Sequence, residues 1–264
     1  MSFTFDGLKT LEQDPYLLHK ASMNGELDII KKNIDDILLV EKDESKLKKL
    51  LVLKDKDDGR TILHWCITMQ QEDILRYISH YYKLCKINTD SLYDNAGWTP
   101  FHLIVSSMFE FDVIVNFFLK TFEVDFENLT QGTRNKTSVL HLIATKPQKL
   151  DLIKYFLNEN VDNCRNLLKI KDSLGRLPLH LAASNEKCLT IVEIMLQYSN
   201  KMSLNTRDKY GYTPLTHALA EGNLEISILL AEKGAEYEND YDDVLKEALN
   251  DTFKRDFIKK IKQK

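Results

Sequence analysis

Six of the seven histidines in this chain fall in or beside one recurring octet. His64 sits in GRTILHWC, His102 in GWTPFHLI, His141 in KTSVLHLI and His180 in GRLPLHLA. PYLLHKAS supplies His19, and GYTPLTHA carries Thr216 in the equivalent slot with His217 beside it. Imidazoles placed so regularly could ligate a metal, act as general bases or hold a backbone in shape. The metal reading fails on distance. Helices packed side by side lie roughly 8–10 Å apart, whereas two nitrogens on one zinc are at most about 4 Å apart. Equivalent histidines of successive repeats therefore form a ladder and cannot share an ion. The hydroxyl and imidazole of a T-P-L-H run could form a nucleophile–base pair. Near a helix start they suit a local bond that fixes the turn and caps orphan N–H groups. An active site is made once, whereas this pairing recurs from repeat to repeat. No P-loop, G-x-G-x-x-G, H-E-x-x-H or G-x-S-x-G motif accompanies it. The chain thus reads as a non-enzyme, with no catalytic residue, no cofactor, no metal and no small-molecule substrate.

The elements that place these histidines are repeats. The slots recur every 36 to 45 residues, in a frame G-x-T-P-L-H-x-A that matches the ankyrin signature on its basic period of about 33 residues. The excess implies insertions near 42–50, 121–131 and 160–168. In DSLGRLPLHLAASNEKCLTIVEIMLQY (172–198), Asp172 to Arg176 reads as a turn, and Pro178 opens a first helix at no hydrogen-bond cost. Cys188, Ile191, Val192, Met195 and Leu196 give the second helix an apolar stripe. One such pair cannot bury its own apolar face; stacking its neighbours does. The expected fold is an all-α ankyrin-repeat solenoid with β-turn fingers, of six to seven repeats including caps. It forms a single domain over 1–264, with units near 54–92, 93–131, 132–170, 171–206 and 207–238, an N-terminal cap at 10–53 and a C-terminal cap at 239–264.

Composition agrees. The chain is 43% hydrophobic and 29% charged, enough to bury a core. A net charge of −4 gives no nucleic-acid footprint. No apolar run approaches the roughly 18 residues of a membrane span, and no basic, then apolar, N-terminal leader is read. Cys66, Cys85, Cys164 and Cys188 show no C-x-x-C spacing, which suits a reducing compartment. The expectation is a soluble monomer when free, bound to neither nucleic acid nor membrane.

With catalysis set aside, binding is expected on the concave face, built from finger tips and first helices. The finger positions are Asp57, Asp58 and Arg60; Asn95 and Trp98; Asn135 and Thr137; Leu174 and Arg176; Tyr210 and Tyr212. Along the first helices follow Trp65, Met69, Ser107, Lys146, Asn185 and Glu221. Aromatic and arginine residues at exposed positions are what interface hot spots are made of. Residues 210–250 hold nine acids against Lys233 and Lys246, which would favour a basic partner face. An adaptor for a kinase or a transcription factor would use the same groove.

KDKDDGRTILHW (54–65), NAGWTPFHL (95–103), HALAEGN (217–223) and AEKGAEY (231–237) together are more specific than T-P-L-H alone. In combination they resemble the gankyrin family and, within it, the fungal proteasome regulatory-particle assembly chaperones. The resemblance covers nearly the whole chain. It implies a non-catalytic chaperone, cytoplasmic and nuclear, that lays the C-terminal domain of one ATPase subunit of the proteasome base along its concave face. That subunit would be the third regulatory-particle ATPase. Carried onto this sequence, it points to Arg60 and Trp98 first, then Trp65 and Glu221. Ile62, where a proline is expected, and Ser138-Val139, where Thr-Pro is expected, depart from the pattern.

Overall fold

The computed structural model describes residues 11–124, 132–158 and 166–236, together with Phe257. The described residues form an all-α ankyrin solenoid. They divide into two compact units, one of described residues within 1–124 and one within 125–264.

In the first unit, α1 (Leu17–Asn24) pairs with α2 (Leu27–Asp35), α4 (Ile62–Thr68) with α5 (Glu72–Leu84), and α6 (Pro100–Ser106) with a π-helical stretch, Val113–Leu119, that runs into α7 (Lys120–Phe122). The first helices α1, α4 and α6 stack in order, as do the second helices α2 and α5. The expected insertion at 42–50 is a helix of its own, α3 (Glu44–Leu51). Asp43 caps it by accepting from the Lys46 N–H at 2.9 Å, and Leu47 and Leu51 bury its apolar side. The Tyr82 hydroxyl of α5 donates to the Leu51 carbonyl at 2.5 Å, so the inserted helix is bolted to the second repeat.

In the second unit, α8 (Val139–Ala144) pairs with α9 (Leu150–Asn158), α10 (Pro178–Ala183) with α11 (Leu189–Tyr198), and α13 (Pro214–Ala220) with α14 (Leu224–Glu232); α12 (Lys201–Leu204) is a short connector. First helices stack as α8–α10–α13 and second helices as α9–α11–α14. The first helices are short, and apart from His141, His180 and Thr216 their buried side chains are apolar, Ala182, Ala183 and Ala218 among them. Of the other expected insertions, residues 125–131 and 159–165 lie outside the described residues. So does the C-terminal cap except for Phe257, which is buried. Among the acids of 210–250, Glu238, Asp240, Asp242, Asp243 and Glu247 lie outside too.

Candidate protein-binding surface

The first helices α4, α6 and α8 start from a residue whose side chain and backbone both reach the histidine at the third helical position. In α4, His64 Nδ1 accepts from the Thr61 backbone N–H at 3.2 Å and lies 2.9 Å from the Thr61 hydroxyl. In α6, Thr99 and His102 repeat this at 3.3 and 2.8 Å, and in α8 Ser138 and His141 do so at 3.2 and 2.7 Å. Leu177 offers no hydroxyl, so His180 keeps only the backbone bond, at 3.0 Å. This is a capping box with imidazole in the role usually played by Glu or Gln. Nδ1 must be bare to accept an N–H, so the proton sits on Nε2. Nε2 then donates into the next repeat: His19 to the Leu53 carbonyl at 2.9 Å, His64 to Trp98 at 3.1 Å and His141 to Arg176 at 3.0 Å. His180 reaches Thr206 at 3.1 Å and Tyr212 at 3.2 Å. Burial disfavours the imidazolium and pulls His64 and His180 down to about 4, and lowers His19 and His141 likewise. These histidines are neutral rungs that join one repeat to the next.

Two exceptions follow from local sequence. In α1 the helix begins after Tyr16, which makes no side-chain cap bond, and His19 Nδ1 is left without a partner. In α13, Thr216 replaces histidine and bonds the Thr213 hydroxyl at 3.0 Å. The adjacent His217 turns to Asp208, with Nε2 2.9 Å from Oδ2, and its Nδ1 lies 3.4 Å from the Ser184 hydroxyl. Ser, His and Asp here have the composition of a catalytic triad. However, Ser184 donates its hydroxyl hydrogen to the His180 carbonyl at 3.0 Å, away from the imidazole. The trio braces a finger.

A second ladder, of finger aspartates, escaped the sequence reading. One oxygen of each carboxylate accepts two backbone N–H groups of its own turn: Asp58 and Gly59 onto Asp55, Ala96 and Trp98 onto Asp94, Leu174 and Arg176 onto Asp172, Tyr210 and Tyr212 onto Asp208. The other oxygen takes a side chain from the face where binding is expected. Trp65 Nε1 donates to Asp55 at 2.6 Å, Arg60 Nε to Asp94 at 3.4 Å, and Arg176 Nε to Asp172 at 2.8 Å. Burial opposes ionisation of Asp55, but the Trp65 indole and the backbone donors outweigh it and hold the carboxyl below the usual range. Asp208 is held low in the same way by His217 and the finger N–H groups. The sequence signal was D-x-x-G at Asp94, Asp172 and Asp208. One extra residue before Gly59 hides it in the first finger, and Thr133 replaces aspartate in the third.

On the first unit these bonds gather most of the expected residues. Arg60 Cζ lies 5.0 Å from the Trp65 ring centroid, so the guanidinium is sandwiched between an indole face and the Asp94 carboxylate. Asp57 and Asp58 are exposed, and their carbonyls accept from the Asn95 side chain at 3.0 Å and the Asn95 N–H at 2.7 Å, which locks two fingers together. Trp98 is half-buried and packs edge-on to His102, with centroids 6.2 Å apart. Met69 is exposed at the far end of α4, away from the fingers. On the second unit Arg176 is pinned to Asp172. Tyr210, 68% exposed, and Tyr212, 37% exposed, stand side by side on the finger that Asp208 braces. Lys146 follows the end of α8, half-buried, and burial lowers its ammonium. Glu221 is exposed at the end of α13. Asn185 spends its amide between repeats, donating to the Thr145 carbonyl at 2.9 Å, as Asn223 does to Ala183 at 2.8 Å.

Among the described residues no helix is long and apolar enough to cross a membrane. A family model for ankyrin repeats in three copies matches residues 103–207 and 140–241. The chain is 34% identical over 225 residues to a Saccharomyces cerevisiae protein named probable 26S proteasome regulatory subunit p28, covering 84% of this chain and 87% of that one. It is also 23% identical to the human transient receptor potential cation channel subfamily A member 1 over 85% of this chain, and 26% identical to the Candida albicans glycerophosphocholine phosphodiesterase GDE1 over 72% of it. Those matches cover 18% and 19% of the two larger proteins. With the repeat matched by model and one relative aligned nearly end to end, the chain belongs to the ankyrin-repeat family and, within it, to the gankyrin group that includes the yeast p28 subunit.

Proposed function

We propose that this chain is a non-catalytic chaperone of the proteasome regulatory particle, which binds the C-terminal domain of one ATPase subunit of the base, the third regulatory-particle ATPase. The relation to the yeast p28 subunit, 34% identical over 84% of this chain and 87% of that one, carries this reading. The surface supports it. Arg60 is preorganised by Trp65 and Asp94, so little side-chain entropy is lost when a partner carboxylate meets its free edge. Trp98 and the Tyr210–Tyr212 pair offer large aromatic area at low entropic cost. The remaining binding residues are Asp57, Asp58, Asn95, Met69, Lys146, Arg176 and Glu221, which set register and complementarity around these anchors. Such a protein acts where proteasomes are assembled, in cytoplasm and nucleus, and works by occupying a surface.

The test is affinity purification of the tagged chain from cells, beside an Arg60→Glu plus Trp98→Ala variant. Base ATPase subunits are expected with the wild type and are depleted with the variant. Recovery of a kinase or a transcription factor in place of base subunits would assign the chain to the adaptor class.

A further inference from the structure

The loops that join first to second helices in the first unit carry an apolar edge that the fold does not require. Met23 is 36% exposed in the last turn of α1, Met69 is 40% exposed just after α4, and Met108 is 65% exposed just after α6; Phe111, 38% exposed, stands beside the last. Because α1, α4 and α6 stack in order, the three loops lie in a row along one edge of the unit. Two of them touch directly, since a Cβ on Gly25 would meet the Gln71 side-chain oxygen at 2.9 Å. The corresponding loops of the second unit carry Lys146, Glu186 with Lys187, and Glu221. The repeat therefore accepts charge there, and the methionines are not owed to packing. Single exposed hydrophobes need no explanation, but a row of them marks an interaction surface.

The charge around the row is one-sided. Residues 23–28, 68–73 and 106–112 contain Glu26, Asp28, Glu72, Asp73, Glu110 and Asp112 and no lysine or arginine. Their places at the starts of second helices complement the helix dipoles, and Glu72 is partly neutralised by Arg76 at 2.8 Å. The rest leave an acidic border on an apolar strip. Methionine is flexible and polarisable, and strips of it accept varied apolar side chains. We infer that this edge docks an amphipathic helical segment of a partner protein whose apolar face is flanked by lysine or arginine. The spacing constrains that helix. Stacked first helices repeat about every 10 Å, and seven helical residues advance about 10.5 Å. Anchors at i, i+7 and i+14 would therefore meet Met23, Met69 and Met108 in turn. The edge lies at the opposite end of the first helices from Arg60 and Trp98 and shares only Met69 with the surface proposed above; Met23 and Met108, which the test changes, lie outside that surface, so the two readings fail independently.

The probe is a synthetic helical peptide with leucine at i, i+7 and i+14 and flanking lysines, titrated calorimetrically into the full chain. A second peptide replaces each lysine with glutamate. Saturable binding of the lysine peptide is expected, weakened about tenfold or more by Met23→Glu plus Met108→Glu, with no binding of the glutamate peptide. Circular dichroism of the variant establishes that both exposed substitutions leave the fold intact. The inference fails if the lysine peptide does not bind, if the folded variant binds it equally well, or if the glutamate peptide binds as tightly. It also fails if sedimentation shows the wild-type chain self-associating through this edge and the variant monomeric, because the occupant is then a second copy.

Discussion

Lowering the pH from 7 to 5 should weaken both units through their buried histidines. His64, in the first unit, and His180, in the second, ionise at about 4 in the folded chain because burial disfavours the cation, against an ordinary value of 6.5. Between those values the unfolded chain holds the extra proton, so stability falls as pH falls through this window and levels off below it. From pH 7 to pH 5 the loss is about 2 kcal/mol for each residue, obtained by integrating that proton difference. His19 and His141 shift the same way and add to it. Asp55 and Asp208, held below the usual carboxylate range, act in the opposite window; their contribution is lost only as pH drops beneath about 4. Urea midpoints at pH 7, 6 and 5 and constant ionic strength read the effect. His64→Gln plus His180→Gln keeps an acceptor in the capping-box position but cannot titrate. The variant should start less stable at pH 7 and lose about 2 kcal/mol less per unit on acidification. A wild-type midpoint that does not move between pH 7 and 5, or an NMR titration of His64 in the folded chain near 6.5, would show that the buried histidines do not carry this pH dependence.

Three further substitutions test the fingers. Gly59 sits at φ +69° with Asn95 Oδ1 where a Cβ would be, whereas Gly211 at φ +84° has open space around it. Gly59→Ala should cost about 1 kcal/mol more than Gly211→Ala, since both carry left-handed strain but only the first breaks the Asn95 bond between fingers; paired urea unfolding curves decide it. Trp65→Phe removes the indole donor to Asp55, so the Asp55 carboxyl should titrate higher by carbon NMR and stability should drop by about 1–2 kcal/mol; an unchanged Asp55 would contradict the assigned bond.

Histidine was legible from sequence because its role is local. Thr61 and His64 are three residues apart, and the same spacing returns in Thr99–His102 and Ser138–His141. The repeat order followed from those slots, and the excess at 42–50 was visible as an insertion, which Leu47 and Leu51 turn into an anchored helix. Arg60 was legible as a finger residue but not as a pinned one, because Asp94 lies a whole repeat away. The aspartate ladder was half-visible, broken by the longer first finger and by Thr133. The π-helical stretches at Asp36–Glu41 and Val113–Leu119 had no sequence signal, since one extra residue in a turn leaves the apolar pattern almost unchanged.

The most direct measurement of the proposed function is a calorimetric titration of the isolated C-terminal domain of the third regulatory-particle ATPase into the full chain. A one-to-one complex is expected, weakened at least about tenfold, or about 1.4 kcal/mol, by Arg60→Glu plus Trp98→Ala in a chain that remains folded. Absence of binding by the wild type, or equal binding by the variant, would contradict it.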